Sequence, residues 1–182
     1  MTYKENIHTI IAQYQNSFKN KNLSEKSADT DVLMDLFGIT DSVTRKNKQY
    51  WNRELGMLWQ KIVTETFKTT SKYLPAKKIG DDEPYDLQYG NDFIDTKYRV
   101  GSGDSGTLKK FKTYGQFISK ELKGTPVLLF LRTDNLEAAL TACKAGGWTI
   151  LQGQESFKYI KDRTNIDLFL LLKKLELQFK LF

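Results

Sequence analysis

The sequence predicts an α/β fold, a small mixed β-sheet flanked by helices, with a helical N-terminal region ahead of it. Three observations carry this reading. Apolar residues recur at three-to-four spacing through the first 72 residues. From 77 to 99 the period shifts toward two, punctuated by Pro75, Gly80, Pro84 and Gly90. Val127-Leu128-Leu129-Phe130-Leu131 is a continuous apolar run, which suits a strand covered on both faces. Strands flanked by helices on both sides in sequence give a layered sandwich. A chain of 182 residues can bury a substantial core as one domain, 1–182. The expected division is mainly helical over 1–72, sheet core over 73–151 and C-terminal helices over 152–182.

Each element follows from local pattern. Ile7, Ile10, Ile11, Tyr14 and Phe18 form one stripe of an amphipathic helix over 4–18, broken at 20–22. A second helix is expected from near Ser24, with Glu25 in its first turn and Gly38 closing it after Leu33, Leu36 and Phe37. A longer helix over 44–72 buries Trp51, Leu55, Leu58, Trp59, Ile62 and Phe67. Successive strands follow within 77–99. The Gly-Ser stretch 101–106 is a loop, and Thr107 is the expected N-cap of a helix over 108–122. The apolar strand 127–131, a helix over 136–145, a short strand over 148–151 and helix from Glu155 onward complete the order. Trp51, Trp59 and Trp148 are expected in the core.

Composition narrows the chemistry. With one cysteine, Cys143, and one histidine, His8, the chain cannot build an internal disulfide or a Cys/His zinc site. A Ser-His-Asp arrangement far from residue 8 is excluded on the same ground. Cys143 lies in an apolar helical stretch and is not expected to be a nucleophile. No segment has the length of a signal peptide or a membrane span, and a cytoplasmic protein is expected. Lys and Arg exceed Asp and Glu by 28 to 22, a net charge of +6. This is compatible with a polyanionic partner such as nucleic acid and equally with an ordinary basic surface.

The segment from Asp86 to Lys97 concentrates the chemistry. A short apolar run opened by Asp86 is followed by the turn Tyr89-Gly90-Asn91 and a second run ending Asp95-Thr96-Lys97. On a strand, Asp95 and Lys97 share a face and Ile94 and Thr96 take the other. If the runs form a hairpin, Asp86 comes alongside Asp95, and two carboxylates and an ammonium converge. Hard oxygen ligands suit Mg²⁺, which keeps several waters and takes one or two carboxylates. Such an ion neutralises a phosphodiester and lowers the pKa of a bound water. Lys97 could hold the attacking water and stabilise charge on phosphorus, or accept a proton if burial lowers its pKa. The same three residues could also form a surface salt bridge on an edge strand.

Pro84-Tyr85-Asp86 followed by Asp95-Thr96-Lys97 resembles the signature of the PD-(D/E)XK nucleases, and the chain is most similar to the type II restriction endonucleases. The motif covers residues 83–97 of this sequence. The resemblance implies a restriction-endonuclease-like core with a catalytic hairpin, Asp86 and Asp95 as metal ligands, and Lys97 as the residue assisting the water. Tyr85 separates Pro84 from Asp86, and the gap between the acids is short. Asp81, Asp82 and Glu83 are therefore alternative first ligands, ranked behind Asp86 because Asp86 lies in the strand. The segment Arg53-Glu54-Leu55-Gly56 resembles the helix that brings a further acid to such sites, which makes Glu54 a catalytic candidate. Gly56 would let that helix approach the sheet. Pairing of Glu54 with Arg53 or Lys61 is the alternative.

The function expected from this resemblance is Mg²⁺-dependent, sequence-specific cleavage of double-stranded DNA by a homodimer, since two symmetric cuts require two sites. The N-terminal helices and a helix over 168–181 are candidate dimer surfaces. Arg99, Ser102, Ser105, Lys109 and Lys110 are candidate DNA contacts, with Lys112 and the run Arg45, Lys46 and Lys48 as further basic groups. Asp134, Gln152, Gln154, Arg163 and Asn165 are available for base readout. A structure-specific repair or junction-resolving nuclease on the same scaffold, and a non-catalytic DNA-binding protein, are the alternatives.

Overall fold

The structure, a computed structural model, describes residues 30–40, 44, 48–101 and 103–179. The expected helix over 4–18, and with it Ser102, Arg45 and Lys46, lies outside the described residues. The elements are α1 (Val32–Phe37), α2 (Lys48–Lys68), β1 (Tyr73–Pro75), β2 (Leu87–Tyr89), β3 (Asp92–Lys97) and α3 (Ser105–Lys120). After them come β4 (Thr125–Phe130), α4 (Glu137–Ala145), β5 (Thr149–Gln152), α5 (Gln154–Thr164) and α6 (Leu168–Phe179).

The five strands lie in sequence order in one mixed sheet: β1, β2 and β3 pair antiparallel, and β3, β4 and β5 pair parallel. Each parallel step is a strand–helix–strand unit, through α3 and then α4. Gly90, at φ +58°, supplies the left-handed residue that the β2–β3 turn requires.

The sheet separates two cores. On one face Leu87, Ile94, Val127, Leu129 and Leu131 pack against α1, α2, α5 and α6. On the other, Phe93, Leu128 and Phe130 pack against α3 and α4, joined by Tyr85, Val100 and Trp148. β4 is thus covered on both faces, as its unbroken apolar run requires. Trp59 is fully buried, and its indole N–H donates to the Leu129 carbonyl at 3.1 Å, fastening α2 across the sheet. Trp148 is also buried and Trp51 half-buried against the first core. Burying a large side chain of this kind contributes about 1.5–3 kcal/mol.

Several boundaries differ from the sequence expectation. Within the described residues the second helix starts at Val32, because the Asp31 carboxylate accepts from the N–H groups of Leu33 and Met34 at 3.0 and 3.1 Å. Its end at Gly38, φ +66°, is as expected. α2 stops at Lys68 instead of 72: the hydroxyls of Thr69 and Thr70 donate back to the carbonyls of Thr66 and Phe67, and the chain turns directly into β1. The first strand therefore precedes residue 77. Asp104, not Thr107, caps α3; its carboxylate accepts from the Thr107 N–H at 2.9 Å, and the helix begins at Ser105. The chain after Glu155 forms two helices, because Asn165 adopts a left-handed conformation, φ +59°, between them.

Candidate functional site

Register builds the site. Leu87 opposes Ile94 in the β2–β3 ladder, so the next step sets Asp86 against Asp95. β2 begins one residue after Asp86, which therefore precedes the strand instead of lying within it. Its N–H still donates to the Ile94 carbonyl at 2.8 Å. Its carboxylate then takes over from backbone. Asp86 Oδ2 accepts from the Thr96 N–H at 2.7 Å and from the Thr96 hydroxyl at 2.5 Å. The side chain that ends the ladder is also an acid of the site.

Alternation along β3 places Asp95 and Lys97 with Phe93 on the α3–α4 face, while Thr96 goes with Ile94. Lys97 Nζ donates to Asp95 Oδ1 at 2.6 Å and to the Thr96 carbonyl at 3.2 Å. Asp95 is 8% exposed. Burial pushes its carboxyl up and the neighbouring Asp86 carboxylate pushes it further. Lys97 opposes both, and the result is about 6. For Lys97, burial works against the ammonium, but Asp95 and Asp86 together outweigh it and hold its pKa above the usual lysine value. Lowering by burial, which would have let Lys97 accept a proton, does not occur. Cys143 on α4 lies within electrostatic reach of the pair; burial, and then Asp95, raise its thiol to about 12, so it stays protonated.

No family model, curated protein or solved structure matches this chain.

The remaining candidates divide. Glu54 is held by Arg53, at 3.0 Å from Nη2 and 3.1 Å from Nε. Among the described residues no group of three or more His, Cys, Asp and Glu side chains is placed to hold a metal ion. Gly56 is not a close-approach glycine: a Cβ there would meet the Tyr98 Cβ at 3.7 Å, an ordinary contact. Of the alternative first ligands, Asp82 is engaged by Lys110 at 3.5 Å, with Tyr114 its strongest stabilising partner, and Asp81 and Glu83 are exposed ahead of the strand.

Arg99 does not continue the Lys97 face. β3 ends at Lys97, and Val100 enters the same core as Phe93, which breaks the alternation. Arg99 Nε instead donates to Asp134, to its carbonyl at 3.0 Å and its carboxylate at 2.9 Å. Ser105 is the exposed first residue of α3, and Lys109 and Lys112 are exposed along it, while Lys110 reaches Asp82. Lys48 begins α2.

Of the polar groups offered for base readout, the side chains of Asp134, Gln152 and Arg163 have structural partners. Asp134 also accepts from Arg132 Nε at 2.7 Å, and Gln152 accepts from Asn135. Arg163 lies over the Tyr159 ring, and Asn165 caps α5. Gln154 is exposed at the start of α5.

Sequence reasoning missed two residues. Thr96 is the variable position of Asp-x-Lys, yet both its N–H and its hydroxyl hold Asp86. Gln60 on α2 donates from Nε2 to Asp86 Oδ1 at 2.7 Å. Nothing in the sequence marks an exposed glutamine on a long helix; only the packing of α2 across the sheet brings it to the acid.

Proposed function

We propose that the protein is a Mg²⁺-dependent endonuclease of double-stranded DNA, similar to the type II restriction enzymes among the PD-(D/E)XK nucleases. The observation that carries this reading is the charge balance at the end of the β2–β3 hairpin. Two adjoining carboxylates face one ammonium, with Lys97 Nζ 2.6 Å from the buried Asp95, so the cluster holds one more acid than base and a surplus of negative charge. A divalent cation relieves that surplus, and a pair of carboxylates with room for water is the donor set Mg²⁺ accepts.

Asp86 and Asp95 would hold the cation. Bound there, Mg²⁺ supplies charge neutralisation for a phosphodiester and a lower pKa for a coordinated water. Lys97 keeps its proton at neutral pH because the two acids favour its charged form. It therefore works as a cationic donor, orienting the attacking water and drawing charge from a phosphate oxygen, and not as a general base. Asp86 is fixed by Thr96 and Gln60 before any substrate arrives. Positions on the exposed face of α3, Ser105, Lys109 and Lys112, are the basic and polar groups proposed to lie along the DNA backbone.

Cutting both strands implies a homodimer. On α6, Leu170, Leu171 and Phe179 are each nearly half exposed, and that helix is the proposed contact. No helix among the described residues is long and apolar enough to cross a membrane.

The test is incubation of supercoiled plasmid and a long mixed-sequence duplex with the protein, with and without Mg²⁺. Discrete fragments in Mg²⁺ alone are expected. Lys97→Ala should remain folded and bind DNA while cleavage falls by at least ~10²-fold. Near-normal cleavage by that variant sinks the assignment.

A further inference from the structure

We propose that Gln60 is a positioning residue that sets the direction of the one Asp86 lone pair left for a cation; the inference rests on the reading of Asp86 and Asp95 as a cation site. An ionised carboxylate has about four acceptor positions, two on each oxygen. On Asp86 Oδ2 both are taken, by the N–H and the hydroxyl of Thr96. On Oδ1 one is taken, by the Gln60 amide at 2.7 Å. The position that remains is therefore on Oδ1, and its direction is fixed by where α2 holds Gln60. The donors to the two oxygens come from different parts of the fold, β3 for Oδ2 and α2 for Oδ1. Together they remove the rotation about the carboxylate bond that a single anchor would allow.

The chemistry of the donor matters as much as its place. An amide orients a carboxylate without cancelling its charge. A lysine or arginine at position 60 would give the same hydrogen bond but add a second cation to a cluster that already contains Lys97, leaving no surplus negative charge for Mg²⁺ to neutralise. The neutral donor preserves that surplus. Gln60 acts through Asp86 and touches no reacting atom, and partners one shell out from a metal commonly change its affinity by about 10–100-fold.

Gln60 is exposed on α2, so its substitution should leave the cores intact. Two variants separate direction from charge. Gln60→Met keeps the length of the side chain and loses the donor; Gln60→Lys keeps a donor and adds the charge. Mg²⁺ is titrated into each full-length protein by calorimetry, without DNA, and the Mg²⁺ dependence of plasmid cleavage is measured in parallel. The expected result is a Kd for Mg²⁺ raised by about 10-fold in Gln60→Met and by more in Gln60→Lys. The cleavage rate of Gln60→Met should recover at saturating Mg²⁺. Unchanged Mg²⁺ affinity in Gln60→Met, beside a wild type that binds Mg²⁺, overturns the role of Gln60 and leaves the cation site standing. A wild type that takes up no Mg²⁺ at all overturns both.

Discussion

Replacing Asp95 by Asn should make the protein more stable in the absence of metal, and only above the pH at which Asp95 ionises. The Asp95 carboxyl rises from 3.8 to about 6 in the folded chain, through burial and the Asp86 carboxylate, against the pull of Lys97. Because the folded value is the higher one, this group contributes stability below pH 4, and that contribution is lost as pH rises through 6. A displacement of about two pKa units corresponds to about 3 kcal/mol at pH 8. The groups facing Asp95 are Asp86, Lys97 and the protonated thiol of Cys143, so removing one carboxylate leaves Asp86 and Lys97 balanced. For a domain of this size each kcal/mol shifts Tm by about 2–4 °C, which gives an increase of about 6–12 °C. Thermal unfolding of wild type and Asp95→Asn at pH 8 and pH 4, in EDTA, measures it. The gap should be present at pH 8 and absent at pH 4, and Mg²⁺ should narrow it by stabilising the wild type alone. An Asn variant that is less stable at pH 8 by a margin independent of pH would refute the reasoning. Asp95 and Lys97 would then be an ordinary stabilising ion pair.

Two structural predictions concern the frame around the site. Gly115→Ala should be strongly destabilising, by about 3 kcal/mol or more, because its Cβ would overlap the Gly146 carbonyl and stand 2.6 Å from the Trp148 indole nitrogen where α3 and α4 cross; a urea midpoint unchanged from wild type would contradict this. Arg132→Met should cost about 3–5 kcal/mol, since Arg132 is 8% exposed and its loss leaves the largely buried Asp31 carboxylate, 3.0 Å away, without its cation, while Asp134 keeps Arg99. Pairing it with Asp31→Asn should return part of that loss in the same denaturation assay.

Much of the fold was legible because its signals are local. The unbroken apolar run from Val127 foretold a strand covered on both faces, and the Trp59 stripe foretold the buried face of α2. Boundaries were less legible where side-chain hydrogen bonds decided them. Asp31, Asp104, Thr69 and Thr70 each end or begin a helix through a bond to a nearby backbone group, and several neighbouring residues could have done so. At the site, Asp95 and Lys97 could be read from alternation alone, and the short turn at Gly90 brought Asp86 to them. Arg99 could not be placed, because the strand stops at Lys97 and the next side chains follow the loop after β4. Gln60 could not be found at all. Its contact joins residues 26 apart in sequence through the packing of a helix on a sheet.

The position of Asp86 has a consequence for how the site holds its shape. Had β2 begun one residue earlier, a backbone carbonyl would have accepted from the Thr96 N–H, and the acid would have been free to turn. Instead the carboxylate itself closes the ladder, so the bond that ends the strand also orients the acid. A buried N–H without an acceptor costs roughly 1–3 kcal/mol, and the Asp86 carboxylate removes that cost by accepting from Thr96. Folding of the hairpin and assembly of the carboxylate pair are thus one event. The repulsion between the acids is carried by the β2–β3 ladder, by Lys97 and by the Gln60 amide from α2. That distribution explains how a hairpin whose first strand is only three residues long can keep two carboxylates together.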